Sequence, residues 1–251
     1  MKTLFVLFLF LLPFAAAAQP TASEVFDEVE RRQNLVTTES ASLQMEIVDE
    51  RGRTRTRSMD LRTKLGGDDR TKSILIFTGP ADIRGMGLLT VETDSGDDQR
   101  LYLPALGRVQ RIAGSKRGER FAGSDFTYED LGTRDPDQYD VEMLETTDDA
   151  FVFEARPTDD DSDYSRIVLT VDRERYVIRR AEHFDRSGEL AKVLTAADFA
   201  EVAPGSWRAN RLTMEDVQAD RRTVLTFSER DTGASLNDDL FTERQLQRGL
   251  R

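Results

Sequence analysis

Arg100–Leu131 reads RLYLPALGRVQRIAGSKRGERFAGSDFTYEDL, and the fold turns on how this stretch is understood. It opens as a strand at Leu101, Tyr102 and Leu103, breaks at Pro104, and resumes as a basic run through Arg108, Val109, Arg111 and Ile112. Proline lacks the N–H that a ladder needs, so the break is firm. A Gly/Lys/Arg loop follows from Gly114 to Arg120. Then comes a compact aromatic segment, Phe121 to Leu131, which turns acidic. Nothing else in the chain is so unlike its surroundings, because what flanks it on both sides reads as short strands.

Upstream, Thr21-Ala-Ser-Glu24 has capping-box spacing, and Val25, Phe26 and Val29 follow at helical intervals, which predicts a helix over 21–35. From Ser40 to Val48 the period becomes two, with Leu43, Met45 and Ile47 on one face. Glu50-Arg51-Gly52 turns the chain into a second strand, Arg53 to Lys64, where Met59 and Leu61 are in phase with Arg53, Arg55 and Arg57. One end of this hairpin is therefore expected to be wet on both faces. Ile74 to Phe77 is continuously apolar, which predicts a strand covered on both sides. Leu88 to Glu92 is the next strand, with a turn from Thr93 to Asp98.

Downstream, Val141 to Glu145 and Ala150 to Arg156 form a hairpin, with Phe151 and Phe153 on one face. A meander follows through Ser165–Val171, Tyr176–Phe184, Leu190–Phe199, Trp207–Val217 and Thr223–Ser228. Residues 237–248 read as a terminal helix with Leu240, Phe241 and Leu246 on one side. The expectation is about ten or eleven short antiparallel strands, since close turns make neighbours antiparallel. A single sheet that wide curls, and its concave face then requires a lid. The 100–131 stretch and the first helix are the candidates. The apolar positions Leu43, Met45, Ile47, Met59, Leu61, Leu101, Leu103, Phe151 and Phe153 then either fill a core or line a cavity suited to acyl chains.

Leu4 to Phe14 is almost wholly apolar behind Met1-Lys2, and Ala16-Ala17-Ala18 matches a cleavage site, so residues 1–18 read as a signal peptide and 19–251 as one exported, soluble, periplasmic domain. Cysteine is absent, so stability comes from core and sheet without disulfides. The 47 acidic residues outnumber 35 basic ones, for a net charge of −12. Such a surface repels nucleic acid, which is not an expected partner. The Asp-rich, Lys-poor balance is compatible with life in high salt.

The usual catalytic residues are sparse. His183 is the sole histidine, so no multi-histidine metal site exists, and no Gly-x-Ser-x-Gly elbow occurs. The run Asp159–Asp163 lacks the glycine and distal glutamate of an EF-hand loop. Asp125, Glu129 and Asp130 read either as an acid/base group or as capping and ion-pairing residues. Arg108, Arg111, Lys116, Arg117 and Arg120 form the one basic cluster. It reads either as a contact for a headgroup or an acidic partner, or as salt bridges to the protein's own carboxylates. No catalytic residue, metal or cofactor is assigned.

Several strings together resemble the LolA-like outer-membrane lipoprotein-sorting proteins. They are Asp49–Arg57, Phe77-Thr-Gly-Pro80 with Asp82–Gly85, Leu101-Tyr102-Leu103-Pro104, Arg108–Ile112, and Gly123-Ser124-Asp125-Phe126-Thr-Tyr128-Glu129-Asp130-Leu131. The segments around Tyr164, Phe184 and Asp239–Thr242 fit as well. The resemblance implies a mainly β fold: one strongly curved antiparallel sheet, a half-open barrel of the LolA/LolB type, with an N-terminal helix and short helices or loops as lid. It also implies a non-enzymatic periplasmic carrier for lipid or lipoprotein acyl chains, with an inner-membrane transporter or an outer-membrane acceptor as an expected partner. The alternatives are an adaptor or sensor that binds a membrane transporter or envelope protein without lipid, and a hydrolase using Asp125 or Glu129.

Overall fold

The computed structural model describes residues 19–250. The expected leader, residues 1–18, lies outside them. Helix α1, Ala22–Gln33, begins on the capping box read from the sequence: Glu24 accepts from the Thr21 N–H at 2.8 Å, and Thr21 Oγ1 accepts from the Glu24 N–H at 3.3 Å. Such a cap stabilises a helix by about 1 kcal/mol. Val25, Phe26 and Val29 form its buried face, and Arg31 and Arg32 sit favourably in its last turn.

The strands are β1 (Thr38–Val48), β2 (Thr54–Leu65), β3 (Thr71–Gly79), β4 (Gly87–Thr93), β5 (Gly96–Leu103) and β6 (Arg108–Arg111). After a long connection come β7 (Tyr139–Thr146), β8 (Ala150–Pro157), β9 (Tyr164–Asp172), β10 (Ile178–Asp185), β11 (Leu190–Ala203), β12 (Ser206–Asp216) and β13 (Arg221–Asp231). Helix α2, Glu243–Arg248, is the last element. The strands number thirteen rather than ten or eleven. The basic run Arg108–Arg111 is a true edge strand, paired to β5 from Arg100↔Arg111 to Leu103↔Arg108. Strand β5 also starts earlier than expected, at Gly96. The terminal helix is shorter than 237–248, because Asp238–Leu240 is a separate single turn.

All thirteen strands lie in one antiparallel sheet, in the order β6-β5-β4-β3-β2-β1-β13-β12-β11-β10-β9-β8-β7. Two meanders are joined where β1 pairs with β13, through Leu43↔Phe227 and Met45↔Leu225. The sheet does not close. Its two edges, β6 and β7, are consecutive in the chain, so residues 112–138 run from one edge to the other. We call this segment the strap.

One sheet face carries two apolar clusters. In the first, Met45, Ile47, Met59, Phe77, Leu88 and Leu101 pack with strap residues Phe121, Phe126 and Tyr128. In the second, Phe151, Phe153, Ile167 and Leu169 pack under Val25, Phe26 and Val29 of α1. Strap and helix therefore cover the same inner face side by side, as the sequence leads one to expect. Strand β3 is covered on both faces: Phe77 points inward, while Ile74 and Ile76 meet Phe241 and Leu246 of the C-terminal segment outside.

Candidate functional site

Between α1 and the strap, part of the inner face stays uncovered and encloses a cavity of about 430 Å³. Its floor is Leu43, Leu61, Leu75, Leu88, Leu212, Leu225 and Phe227; Phe26 and Val29 of α1 form one wall, and Phe126 and Leu131 of the strap the other. The cavity also meets Thr63, Thr71, Ser73 and Thr90, and at its exposed end Glu30, Glu92, Arg134 and Asp135. This combination of apolar lining and a few polar groups, at this volume, is typical of a small-molecule site.

The strap is held by buried polar anchors. The Asp125 side chain is wholly buried. Thr223 Oγ1 donates to its Oδ2 at 2.6 Å and accepts from the Asp125 N–H at 2.9 Å, while Arg221 and Arg120 lie at 3.2 and 3.5 Å from Oδ1. Asp130, equally buried, accepts from the Thr127 N–H at 2.8 Å, the Tyr164 hydroxyl at 2.9 Å and Lys192 Nζ at 3.2 Å, with His183 Nε2 at 4.0 Å. Burial alone raises the Asp130 pKa, but Lys192 and His183 beside it hold it below the usual carboxylate range. Burial pushes His183 down to about 4, so the imidazole is neutral at pH 7. Glu129 accepts from Ser162 Oγ and from the Asp163 N–H, and burial raises its pKa. Gln99 Nε2 donates to the Tyr128 carbonyl at 2.9 Å. Ring contacts at 5.6 Å (Phe77–Phe121) and 5.7 Å (Phe121–Tyr128) complete the attachment.

Of the nine positions proposed from sequence as cavity lining, Leu43 and Leu61 line this cavity. Met45, Ile47, Met59, Leu101 and Leu103 pack instead beneath the strap, and Phe151 and Phe153 beneath α1. The trough is thus largely filled by the chain's own lids, and a smaller chamber remains. Strand alternation gives the correct face but not which residues the lids cover. Leu212, Leu225 and Phe227 fall on period-two faces of their strands, whereas Leu75 and Leu88 lie in runs apolar on both faces, where alternation does not say which way they point.

The basic cluster is dispersed among internal pairs. Arg111 meets Asp98 at 2.9 Å, Arg117 meets Asp159 at 2.7 Å, and Arg120 bridges Asp216 and Asp125. Among the described residues, Arg108 and Lys116 have no acidic partner within 4 Å. Of the other signature positions, Tyr102 packs outside with α2, Pro104 opens the turn Pro104–Leu106, and Gly123 has φ +70°. Ser124 is buried and donates to the Phe121 carbonyl at 2.7 Å. Among the described residues, no group of three or more His, Cys, Asp or Glu side chains is placed to hold a metal ion, and no helix is long and apolar enough to cross a membrane.

A family model described as an uncharacterized protein matches residues 69–248. The structure is similar to that of a candidate outer membrane lipoprotein-sorting protein domain from Vibrio parahaemolyticus, with 32% identity over 90% of this chain and 98% of that one, and a TM-score of 0.85. The chain belongs to the LolA-like lipoprotein-sorting family. A DUF1329 family protein from Desulfovibrio piger is similar at 28% identity, covering 89% of this chain and 98% of that one, TM-score 0.81. A LolA superfamily protein from Nitrosomonas europaea, 21% identical over 90% of this chain and 100% of that one with TM-score 0.73, shares the fold. No curated protein matches. The unclosed antiparallel sheet with two helices is the fold these structures share.

Proposed function

We propose that this protein is a non-enzymatic periplasmic carrier that receives acyl chains of a lipid or lipoprotein in the chamber between α1 and the strap, for delivery toward the outer membrane. The observation that carries this reading is the apolar cavity of about 430 Å³ left open between two lids that otherwise fill the trough. Each methylene moved from water into such a lining contributes about 0.8 kcal/mol before the costs of immobilisation. Kinship with lipoprotein-sorting proteins supports the same reading, by analogy of fold. Asp125 and Glu129, the best acid/base candidates, are engaged in anchoring the strap, which favours a carrier over a hydrolase.

The test is uptake of a fluorescent fatty-acyl probe by delipidated protein. Wild type should bind saturably, and Leu225→Trp, which fills the floor, should weaken binding about tenfold, equivalent to roughly 1.4 kcal/mol. Absence of uptake by correctly folded wild type would sink the reading. One observation favours a second role beside it. Leu106 is 56% exposed next to Arg108, at the β6 edge, and gives a face on which a membrane transporter or acceptor could dock. Charge reversal at Arg108 and Lys116 would then abolish transfer while leaving probe uptake intact.

A further inference from the structure

The chamber is graded along the strands. Register places Leu61, Leu75, Leu88 and Leu101 in one row across β2–β5. Two residues along, on the same face, the row becomes Thr63, Ser73, Thr90 and Gln99. Two residues further, β3 and β4 present Thr71 and Glu92. Successive same-face rows are separated by about 6.6 Å of strand rise. The floor therefore changes from hydrocarbon through hydroxyl to carboxylate over roughly 13 Å. Glu30 on α1 and Asp135 on the strap face the carboxylate row across the same opening.

Three carboxylates thus ring the mouth against a single guanidinium, Arg134. Two of the three have polar partners. Glu92 accepts from the Thr71 N–H at 2.7 Å, and Asp135 from the Asp137 N–H at 3.0 Å. Glu30 is half-buried with no side-chain hydrogen bond or ion pair among the described residues. Burial, and then the charges of Asp135 and Glu92, raise its pKa, as expected of like charges converging on one space. Asp130, deeper in the wall, is already neutralised by Lys192. An anionic head entering here would meet repulsion that a cationic head would relieve.

Building on the carrier reading, we propose that the chamber selects amphiphiles with a cationic, amine-bearing head. The chain lies on the leucine row, the linker contacts the hydroxyl row, and the ammonium sits among Glu30, Glu92 and Asp135. Calorimetric titration with decyltrimethylammonium, decyl glucoside and decanoate, each below its micelle concentration, tests this. The cation should bind about tenfold or more tighter than decanoate at low salt, with the gap closing as ionic strength rises. Glu30→Gln/Glu92→Gln/Asp135→Asn should erase that gap, with decyl glucoside still bound as evidence that the chamber has kept its shape. Arg134→Ala, which removes the lone positive charge, should widen it. Equal binding of all three, or preference for decanoate, overturns this inference and leaves the carrier reading standing. Binding of none overturns both.

Discussion

At the scale of single residues, the signature string does its work far from where sequence reasoning looks. Asp125 is a plausible general base on paper, yet its partners Arg221 and Thr223 arrive from about a hundred positions downstream, in β13. Ion pairing is one of the two readings of Asp125 and Glu129, and Asp125 does lie beside Arg120 and Arg221, but no local pattern announces partners from a distant strand. His183 illustrates the same point with a measurable consequence. As a lone histidine in a strand it read as ordinary. In the fold it is 1% exposed beside Tyr164 and Asp130. Its native pKa of about 4 lies below the unfolded value of 6.5, so the unfolded chain takes up the proton first as pH falls. The stability it contributes is complete above about pH 6.5 and is lost toward pH 4, on the order of 3 kcal/mol over that window. Urea titrations of wild type and His183→Gln should converge with falling pH across this range. Parallel curves would show that burial of the neutral imidazole is not what the acid limb reports.

At the scale of elements, period-two alternation was a reliable guide wherever one face is wet and the other dry. β1 alternates cleanly, with Ala41, Leu43, Met45 and Ile47 buried. The continuous run Ile74–Phe77 correctly implied two covered faces, because β3 lies between the strap inside and α2 outside. Short edge strands escaped: β6 has four residues and no buried one, so it carries no hydrophobic signal. The close approach of α2 was also unreadable, and it depends on Gly87. A Cβ there would lie 2.3 Å from Ile76 Cδ1, 2.8 Å from Leu246 Cδ1 and 3.1 Å from the Leu75 carbonyl. The last of these is backbone and cannot rotate away. Gly87→Ala should therefore destabilise by about 1–3 kcal/mol, as overpacking does. It should also raise hydrogen exchange selectively in Glu243–Arg248. Unchanged exchange in α2 would mean that the helix is held by Phe241 and Leu240 instead.

At the scale of the whole molecule, the topology makes two half-sheets, β1–β6 and β7–β13, that meet along a single ladder, β1 with β13. Helix α1, which leads into β1, packs on β8 and β9, and α2, which follows β13, packs on β3, so each half lends the other a helix; the strap grips both. Phe121 stacks on Phe77 of the first half, whereas Asp125 and Asp130 are held by Thr223, Lys192 and Tyr164 of the second. Covalent continuity through residues 112–138 should then matter less than these contacts. A specific protease site placed at Gly114–Lys116, a turn with no buried residue, would cut the chain between β6 and the strap's anchored part. The two fragments should remain together in size-exclusion chromatography and keep the β-sheet signal. Their melting temperature should become dependent on protein concentration, because unfolding now also separates two chains. Adding Phe121→Ala to the nicked protein should lower that melting temperature further without separating the fragments, since α1 on β8 and β9, α2 on β3 and the β1–β13 ladder still join the halves. If the nicked wild type falls apart by itself, the strap is a tether and not a clasp, and a chamber wall built on it would have to open with every loss of strap contact.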